Sequence, residues 1–353
     1  MRPILKWTGG KSSELTVIKT FLPENYKRII EPFLGGGAVF FDFENKSSIV
    51  NDFNKELICF YNMIKENDLS VFEEIIRRIS NEREHVMALD IQGKTLEDIY
   101  ILASGIGSMP TYDKYLNREL TSKTKTLTRI NRDNALKGIP ELNASEILIQ
   151  YQTAIMAAIY YTYREAYNDK NKAKSYDNEH ISYWFIMREL AYSGMFRFSS
   201  TGNFNVPYGG ISYNKKSLLT KLRYINEMKN KEFFTNCEFN NGDFEEFFKK
   251  YDYFSEDDFI FLDPPYDSEF SQYNIEEDFT KEDQIRLRDA LLKTKAKIMI
   301  VIKETPFIKS LYEKDFCLNY FDKNYSVNFK NRNEREVNHI VITKNYTIDL
   351  SIL

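Results

Sequence analysis

Arg28-Ile29-Ile30-Glu31-Pro32-Phe33-Leu34-Gly35-Gly36-Gly37-Ala38 decides the fold class of this chain. A short apolar run stops at an acid and a proline, three glycines follow, and Ala38 to Glu44 opens a helix. Ser48-Ile49-Val50-Asn51-Asp52 reads as a second strand and Asn54 to Lys65 as a second helix. Strand, glycine turn, helix and a strand ending in an acid form half of a doubly wound nucleotide-binding sheet. Upstream, Lys11 to Leu22 has helical spacing (Leu15, Ile18, Leu22) and is stopped by Pro23.

Spacing narrows what this loop holds. A dinucleotide fingerprint needs glycine where Phe40 stands, so hydride transfer is disfavoured. Gly10-Lys11-Ser12 suggests a phosphate-binding loop, but the first glycine of that motif falls on Leu5, which disfavours an ATPase or kinase. What remains is a loop tight enough for a nucleoside and not built for a polyphosphate. Asp52 either grips two ribose hydroxyls or caps the next helix. Lys11 is either a solvated lysine or a partner for a ligand carboxylate. Trp7, one of two tryptophans, is a core side chain or a ligand wall.

From Leu69 to about Lys231 helical periodicity dominates (Val71 to Ile79, Ile147 to Tyr167). It is interrupted by a basic stretch and by a Gly-, Asn-, Phe- and Tyr-rich segment, Tyr192 to Tyr213. The α/β rhythm resumes near Phe233 with strands at Phe259–Leu262, Lys297–Ile302 and His339–Thr343, and a Thr280-capped helix from Lys281 to Leu292. The expected fold is α/β, a Rossmann-like doubly wound sheet assembled from residues 1–65 and 233–353, with a largely helical insert at 66–232. The strand Phe259–Leu262 ends in Asp263-Pro264-Pro265-Tyr266. Neither proline has an N–H and both fix φ near −65°, so carbonyls there stay available as acceptors. Asp263 and the Pro264 carbonyl can both accept from one –NH2 group, and Tyr266 offers a flat face to a planar ring.

The totals bound the class. In 353 residues, 42% hydrophobic, the chain holds one large domain or two. Three dispersed cysteines and three histidines argue against a zinc site, a disulfide framework or any metal. Met1 to Trp7 is too short and too soon charged for a signal peptide, and no apolar run approaches a membrane span, so the expected compartment is the cytoplasm. Net charge is −4. Tyr112 to Gly138, however, carries seven basic residues against three acidic ones and is rich in Thr, Asn and Ser. This is either a phosphate-binding patch or a solvated lysine-rich loop.

Five segments in order resemble the Dam-type, class alpha, family of DNA adenine methyltransferases. They are Lys6-Trp7-Thr8-Gly9-Gly10-Lys11, Glu31-Pro32-Phe33 with its glycines, Asn51-Asp52-Phe53-Asn54, Gly202-Asn203-Phe204-Asn205-Val206-Pro207-Tyr208-Gly209, and Asp263 to Tyr266. The resemblance covers roughly residues 1–65 and 185–345, and the segment near 80–180 is longer than in compact members. It implies a methyltransferase sheet carrying a target-recognition insert, S-adenosylmethionine as cofactor, and duplex DNA as partner in a prokaryotic or phage setting. A separately acting restriction endonuclease is the further partner it allows. Trp7, Lys11, Phe33, Gly35, Gly37, Asp52 and Asp243 are implied to bind cofactor, with Asp263 beside them. Asp263, Pro264, Pro265 and Tyr266 are implied to hold a flipped adenine. Tyr192, Ser193, Met195, Arg197, Asn205 and Pro207 are implied to face DNA. Compact relatives usually carry asparagine at the Ser193 position and leucine at Met195, so no recognition sequence carries over.

The chemistry expected is methyl transfer to an exocyclic amine made nucleophilic by two acceptors. Methylation of RNA or of a cytosine amine, and an inactive DNA-binding module, are the competing readings. Aspartate at 263 favours adenine, and an intact glycine loop and acidic motif argue against inactivity.

Overall fold

The computed structural model describes residues 1–7, 9–45, 47–265, 279–324 and 336–348. The chain forms two compact units, Met1–Glu66 with Met228–Leu353, and Asn67–Glu227. The first begins with α1 (Leu15–Thr20), β1 (Arg28–Glu31), α2 (Ala38–Phe43), β2 (Ser48–Asp52) and α3 (Lys55–Lys65). The second holds α4 (Ser70–Ala88), α5 (Leu96–Ala103), α6 (Tyr112–Leu136), α7 (Ala144–Ala173), α8 (Asn178–Leu190) and α9 (Leu218–Met228). The first is then completed by α10 (Glu232–Thr235), β3 (Glu238–Asn241), α11 (Phe244–Lys250), β4 (Asp258–Leu262), α12 (Lys281–Lys293), β5 (Lys297–Lys303), α13 (Pro306–Tyr312), β6 (Cys317–Asn324) and β7 (Glu336–Lys344).

These strands make one sheet in the order β3-β2-β1-β4-β5-β7-β6. The first five are parallel, and β7 runs antiparallel between β5 and β6. A parallel sheet is covered on both faces, so its strands are apolar at nearly every position. Alternate residues divide between two cores accordingly. Ile30, Ile260, Leu262, Ile298 and Ile300 pack with Leu287, Leu291 and Phe248. Ile29, Phe259, Phe261, Met299 and Val301 pack with Ile18, Phe21 and Val39. Strand order reverses beside β1, which β2 and β4 flank. At such a point the loops leaving the carboxyl ends diverge and open a crevice.

Two stretches differ from their sequence reading. The expected helix from Lys11 to Leu22 is a 3-10 turn, Lys11–Ser13, followed by the shorter α1. The basic stretch does not interrupt the helical pattern: it is α6 itself, 25 residues long. Its four β-branched threonines lower intrinsic propensity, but Tyr112, Tyr115, Leu116, Leu120 and Leu127 bury one face, and packing overrides propensity. Among the described residues no helix is long and apolar enough to cross a membrane.

At the opposite ends of β1 and β4 a cleft is lined by Lys27, Arg28, Ser47, Asp257 and Asp258. Its charges are spent on each other. Arg28 donates to both carboxylate oxygens of buried Asp258, at 2.6 and 2.9 Å, and Lys27 pairs with Asp257 at 2.7 Å. Burial by itself would raise the Asp258 carboxyl, but hydrogen bonds from Arg28 and Ser255 outweigh it and hold it below the ordinary range. A depressed acid contributes stability above its unfolded value of about 3.9, lost as pH falls through the folded value. Asp258→Ala should therefore cost about 3 kcal/mol at pH 7. Thermal unfolding across pH should show the difference from wild type closing below about pH 4.

Candidate active site

The crevice beside β1 is built from residues far apart in sequence. Asp263 leaves β4, and Lys11, 2% exposed, forms an ion pair with its Oδ1 and donates to the Gly9 carbonyl at 3.2 Å. Asp263 is 22% exposed, so one side of the carboxylate meets the crevice. Glu31 ends β1 just beneath and is 2% exposed. Burial pushes its carboxyl well above the usual range and the negative charge of Asp263 adds to this; a hydrogen bond from the Phe40 N–H opposes only part. Among the described residues Glu31 Oε1 has no hydrogen-bond partner.

The glycine loop closes one wall. Gly35 (φ +49°) and Gly37 (φ +71°) are left-handed, a backbone that suits glycine. A Cβ on Gly35 would lie 3.1 Å from Trp7 Cδ1, and one on Gly36 would lie 2.9 Å from Trp7 Cβ, so the tryptophan lies directly on the loop. Asp52 Oδ2 accepts from the Gly35 N–H at 2.7 Å and Oδ1 from the Asn54 N–H at 2.8 Å. Asn54, and not Asp52, caps α3, accepting from the Leu57 N–H. Asp52 thus points to the loop. Phe33 meets Phe244 and Phe279 at 5.5 and 5.6 Å, an apolar wall next to Asp243. Asp243 caps α11 and pairs with Arg286 at 2.9 Å.

Every expected cofactor residue therefore lies around the carboxyl ends of β1, β2, β3 and β4. Tyr266 lies outside the described residues. The Pro265 carbonyl accepts from buried Gln284 of α12 at 3.2 Å, whereas no described residue donates to the Pro264 carbonyl. Sequence reasoning gave no individual role to Glu31, Gln284, Arg286 or Asn51, which donates to the carbonyls of Pro32 and Gly242 at 3.1 and 3.0 Å. An acid ending a buried strand was the one available signal, at Glu31.

A second constellation belongs to the other unit. Residues 191–208 form a hairpin with bridges Ala191–Tyr208 and Phe198–Phe204. Its side chains alternate. Tyr192, Ser193, Met195, Arg197, Asn205 and Pro207 are exposed, while Phe204, Val206 and Tyr208 are buried. Tyr192, at 51% exposure, is not packed beneath the hairpin. Helix α7 secures the inner side through residues one turn apart: Tyr160 Oη and Arg164 Nη1 donate to the Val206 carbonyl at 3.0 and 3.1 Å, and Asn168 bonds both backbone groups of Phe204. Arg197 Nε donates to Asn205 Oδ1 at 2.9 Å, which orients the guanidinium.

A seven-stranded sheet in this order, with a glycine loop after β1, an acid ending β2 and Asp-Pro-Pro after β4, is a doubly wound sheet of the nucleotide-binding class with its crevice at the carboxyl ends of the strands. The comparison with known families specifies it. The chain belongs to the D12 class N6 adenine-specific DNA methyltransferases, whose model matches residues 7–90 and 127–329. It is similar to the type II methyltransferase M1.LlaDCHI of Lactococcus lactis subsp. cremoris, 27% identical over 97% of this chain and 95% of that protein. It is also similar to the type II methyltransferase M.CviBI of Paramecium bursaria Chlorella virus NC1A, 28% identical over 98% and 100%. The DNA adenine methylase of Escherichia coli is 24% identical over 89% and 84%. Methylation of DNA adenine is thus the activity, ahead of the cytosine, RNA and inactive-module readings.

The state of Glu31 is measurable. An acid raised on folding opposes stability increasingly as pH climbs above its unfolded value of about 4.3. Glu31→Gln should melt a few degrees above wild type at pH 8, with the gap vanishing near pH 4. A gap independent of pH would mean that Glu31 is not a buried neutral acid.

Proposed function

We propose that this enzyme transfers a methyl group from S-adenosylmethionine to the 6-amino group of an adenine turned out of duplex DNA, within a specific sequence. The observation that carries the reading is the ion pair of buried Lys11 with Asp263, the residue that follows β4, with Trp7 lying on the glycine loop.

The crevice fits such a cofactor. Gly35 to Gly37 permit close backbone approach, and Trp7 and Phe33 offer apolar walls. Asp52 accepts from the Gly35 and Asn54 N–H groups, which sets its carboxylate against the loop where ribose hydroxyls would meet it. Lys11 matches a carboxylate in charge, and Asp243 stands at the loop after β3 to meet an adenine amine. When bound, S-adenosylmethionine supplies an electrophilic methyl on a sulfonium that leaves without assistance.

The protein's task is then acceptance and alignment. The amine lone pair of adenine is delocalised into the ring. Hydrogen bonds from that amine to Asp263 and to the Pro264 carbonyl favour a pyramidal nitrogen and stabilise the positive charge developing on it. Lys11 holds the Asp263 carboxylate in place through Oδ1, and that carboxylate accepts from the substrate. Gln284 fixes the Pro265 carbonyl and with it the turn that aims Pro264. Alignment of the amine with the methyl supplies much of the rate, and the proton leaves after transfer. Extrusion of the base costs a few kcal/mol, and stacking on Tyr266, worth about 1–3 kcal/mol, offsets much of it.

In the recognition insert Arg197 reads a base through its fork, held by Asn205, and Tyr192 fills the gap left by the extruded base. Ser193, Met195 and Pro207 line the same outward face. The type II names of two relatives favour a modification role beside a separately acting restriction endonuclease.

Asp263→Asn should lower single-turnover transfer about 10²–10³-fold while leaving cofactor binding by calorimetry unchanged; full activity would remove Asp263 from the chemistry. Arg197→Ala should lose about 1–3 kcal/mol of discrimination at one base pair when methylated adenines are mapped in a methylation-free host. An unaltered preference would assign base reading to another side chain.

A further inference from the structure

Residues 91–126, α5 and over half of α6, fall between the two segments that match the family model. Of the exposed cations of α6, Lys114, Arg118 and Lys125 lie in that interval and Arg129 and Arg132 in the second matched segment. Lys114, Arg118, Lys125, Arg129 and Arg132 succeed one another at spacings of four, seven, four and three. At 3.6 residues per turn all five fall within about 60° of arc, opposite the buried face, and span about 27 Å. The acids of α6, Asp113, Glu119 and Asp133, lie off this stripe.

Three of the cations have acidic neighbours: Lys114 with Glu165 at 3.1 Å, Arg118 with Glu119 at 2.8 Å and Arg132 with Asp133 at 3.4 Å. Exposed pairs of this kind are worth roughly 0–1 kcal/mol and exchange readily for phosphate. Lys125 and Arg129 have no ion-pair partner among the described residues. The threonines contribute little as donors: Thr124, Thr126 and Thr128 donate back to carbonyls one turn earlier.

Helices α6 and α7 run antiparallel, with Lys114 beside Glu165, Arg118 on Tyr161, Lys123 bonded to Gln150 and Leu142 N to Asn131. Arg118 and Arg164 stack on Tyr161 at 4.7 and 4.4 Å, and Arg164 holds the Val206 carbonyl of the hairpin. The stripe thus begins beside the support of Asn205 and Pro207 and runs away from it toward the α6–α7 turn. We infer that α6 is a phosphate rail that grips the duplex on one flank of the recognition sequence, over about eight base pairs at 3.4 Å each. This rests on the hairpin being the surface that meets DNA.

The test compares wild type with Lys125→Gln/Arg129→Gln/Arg132→Gln, three exposed positions whose change should leave the melting temperature in place. Each protein is titrated with a short duplex just covering the mapped site and with duplexes extended by about ten base pairs on one side or the other, at 50–200 mM salt. Wild type should gain affinity from extension on one side only. The triple variant should lose that gain, and its plot of log Kd against log salt should be shallower by about 2–3. Arg197→Ala should lose discrimination and keep the flank gain. A flank gain retained in the triple variant, or no gain in wild type, overturns the rail. Wild type that does not prefer its own short site, or Arg197→Ala with intact discrimination, would instead fault the hairpin reading.

Discussion

The ion pair between Lys11 and Asp263 joins the start of the chain to the end of its fourth strand, across 252 residues. Taking two charges out of water costs several kcal/mol per ion, so such a pair persists only where its surroundings fix it. Here they do. The strand below Asp263 is buried at every residue, two prolines stiffen the turn beyond it, and Lys11 sits in a turn closed by Gly9 and Gly10. Glu31, the last residue of β1, is buried beside them, and burial together with the charge of Asp263 pushes its carboxyl well above the usual range. The crevice thus has an ion pair at its rim and a buried acid with a raised pKa beside it.

The other unit solves a different problem with two periodicities. The hairpin's return strand uses a period of two to turn Phe204, Val206 and Tyr208 inward and Asn205 and Pro207 outward. The α6–α7 pair uses 3.6 to bury tyrosines and leucines and leave cations outside. Side chains at 160, 164 and 168 on α7 fasten the hairpin, so Arg197 is carried by a segment anchored to a long helix and not by a free loop. Held by Asn205, the Arg197 guanidinium has less freedom to lose on binding a ligand than an unsupported side chain would.

Much of the catalytic unit was legible because its signals are local. The glycine loop, the acid ending β2 and the Asp-Pro-Pro turn each declare a backbone geometry in a few residues. The role of Asp52 was not local: an acid three residues before a helical run is equally a cap, and only the Gly35 N–H at 2.7 Å shows which way it points. Lys11 with Asp263, Gln284 with Pro265 and Arg286 with Asp243 are tertiary pairings with no periodic trace. Helix α6 was missed as a helix because threonine-rich, charged sequence carries weak propensity, and α7, which stabilises it by packing, lies beyond it in the chain.

The central claim is that one nitrogen of DNA is held between a carboxylate and a peptide oxygen. A crystal structure with S-adenosylhomocysteine and a duplex carrying the methylated site's adenine tests it most directly. The account predicts the 6-amino nitrogen within about 3 Å of both an Asp263 carboxylate oxygen and the Pro264 carbonyl oxygen, facing the sulfur. An adenine still stacked in the duplex, or an extruded base whose amine meets other acceptors, would contradict it.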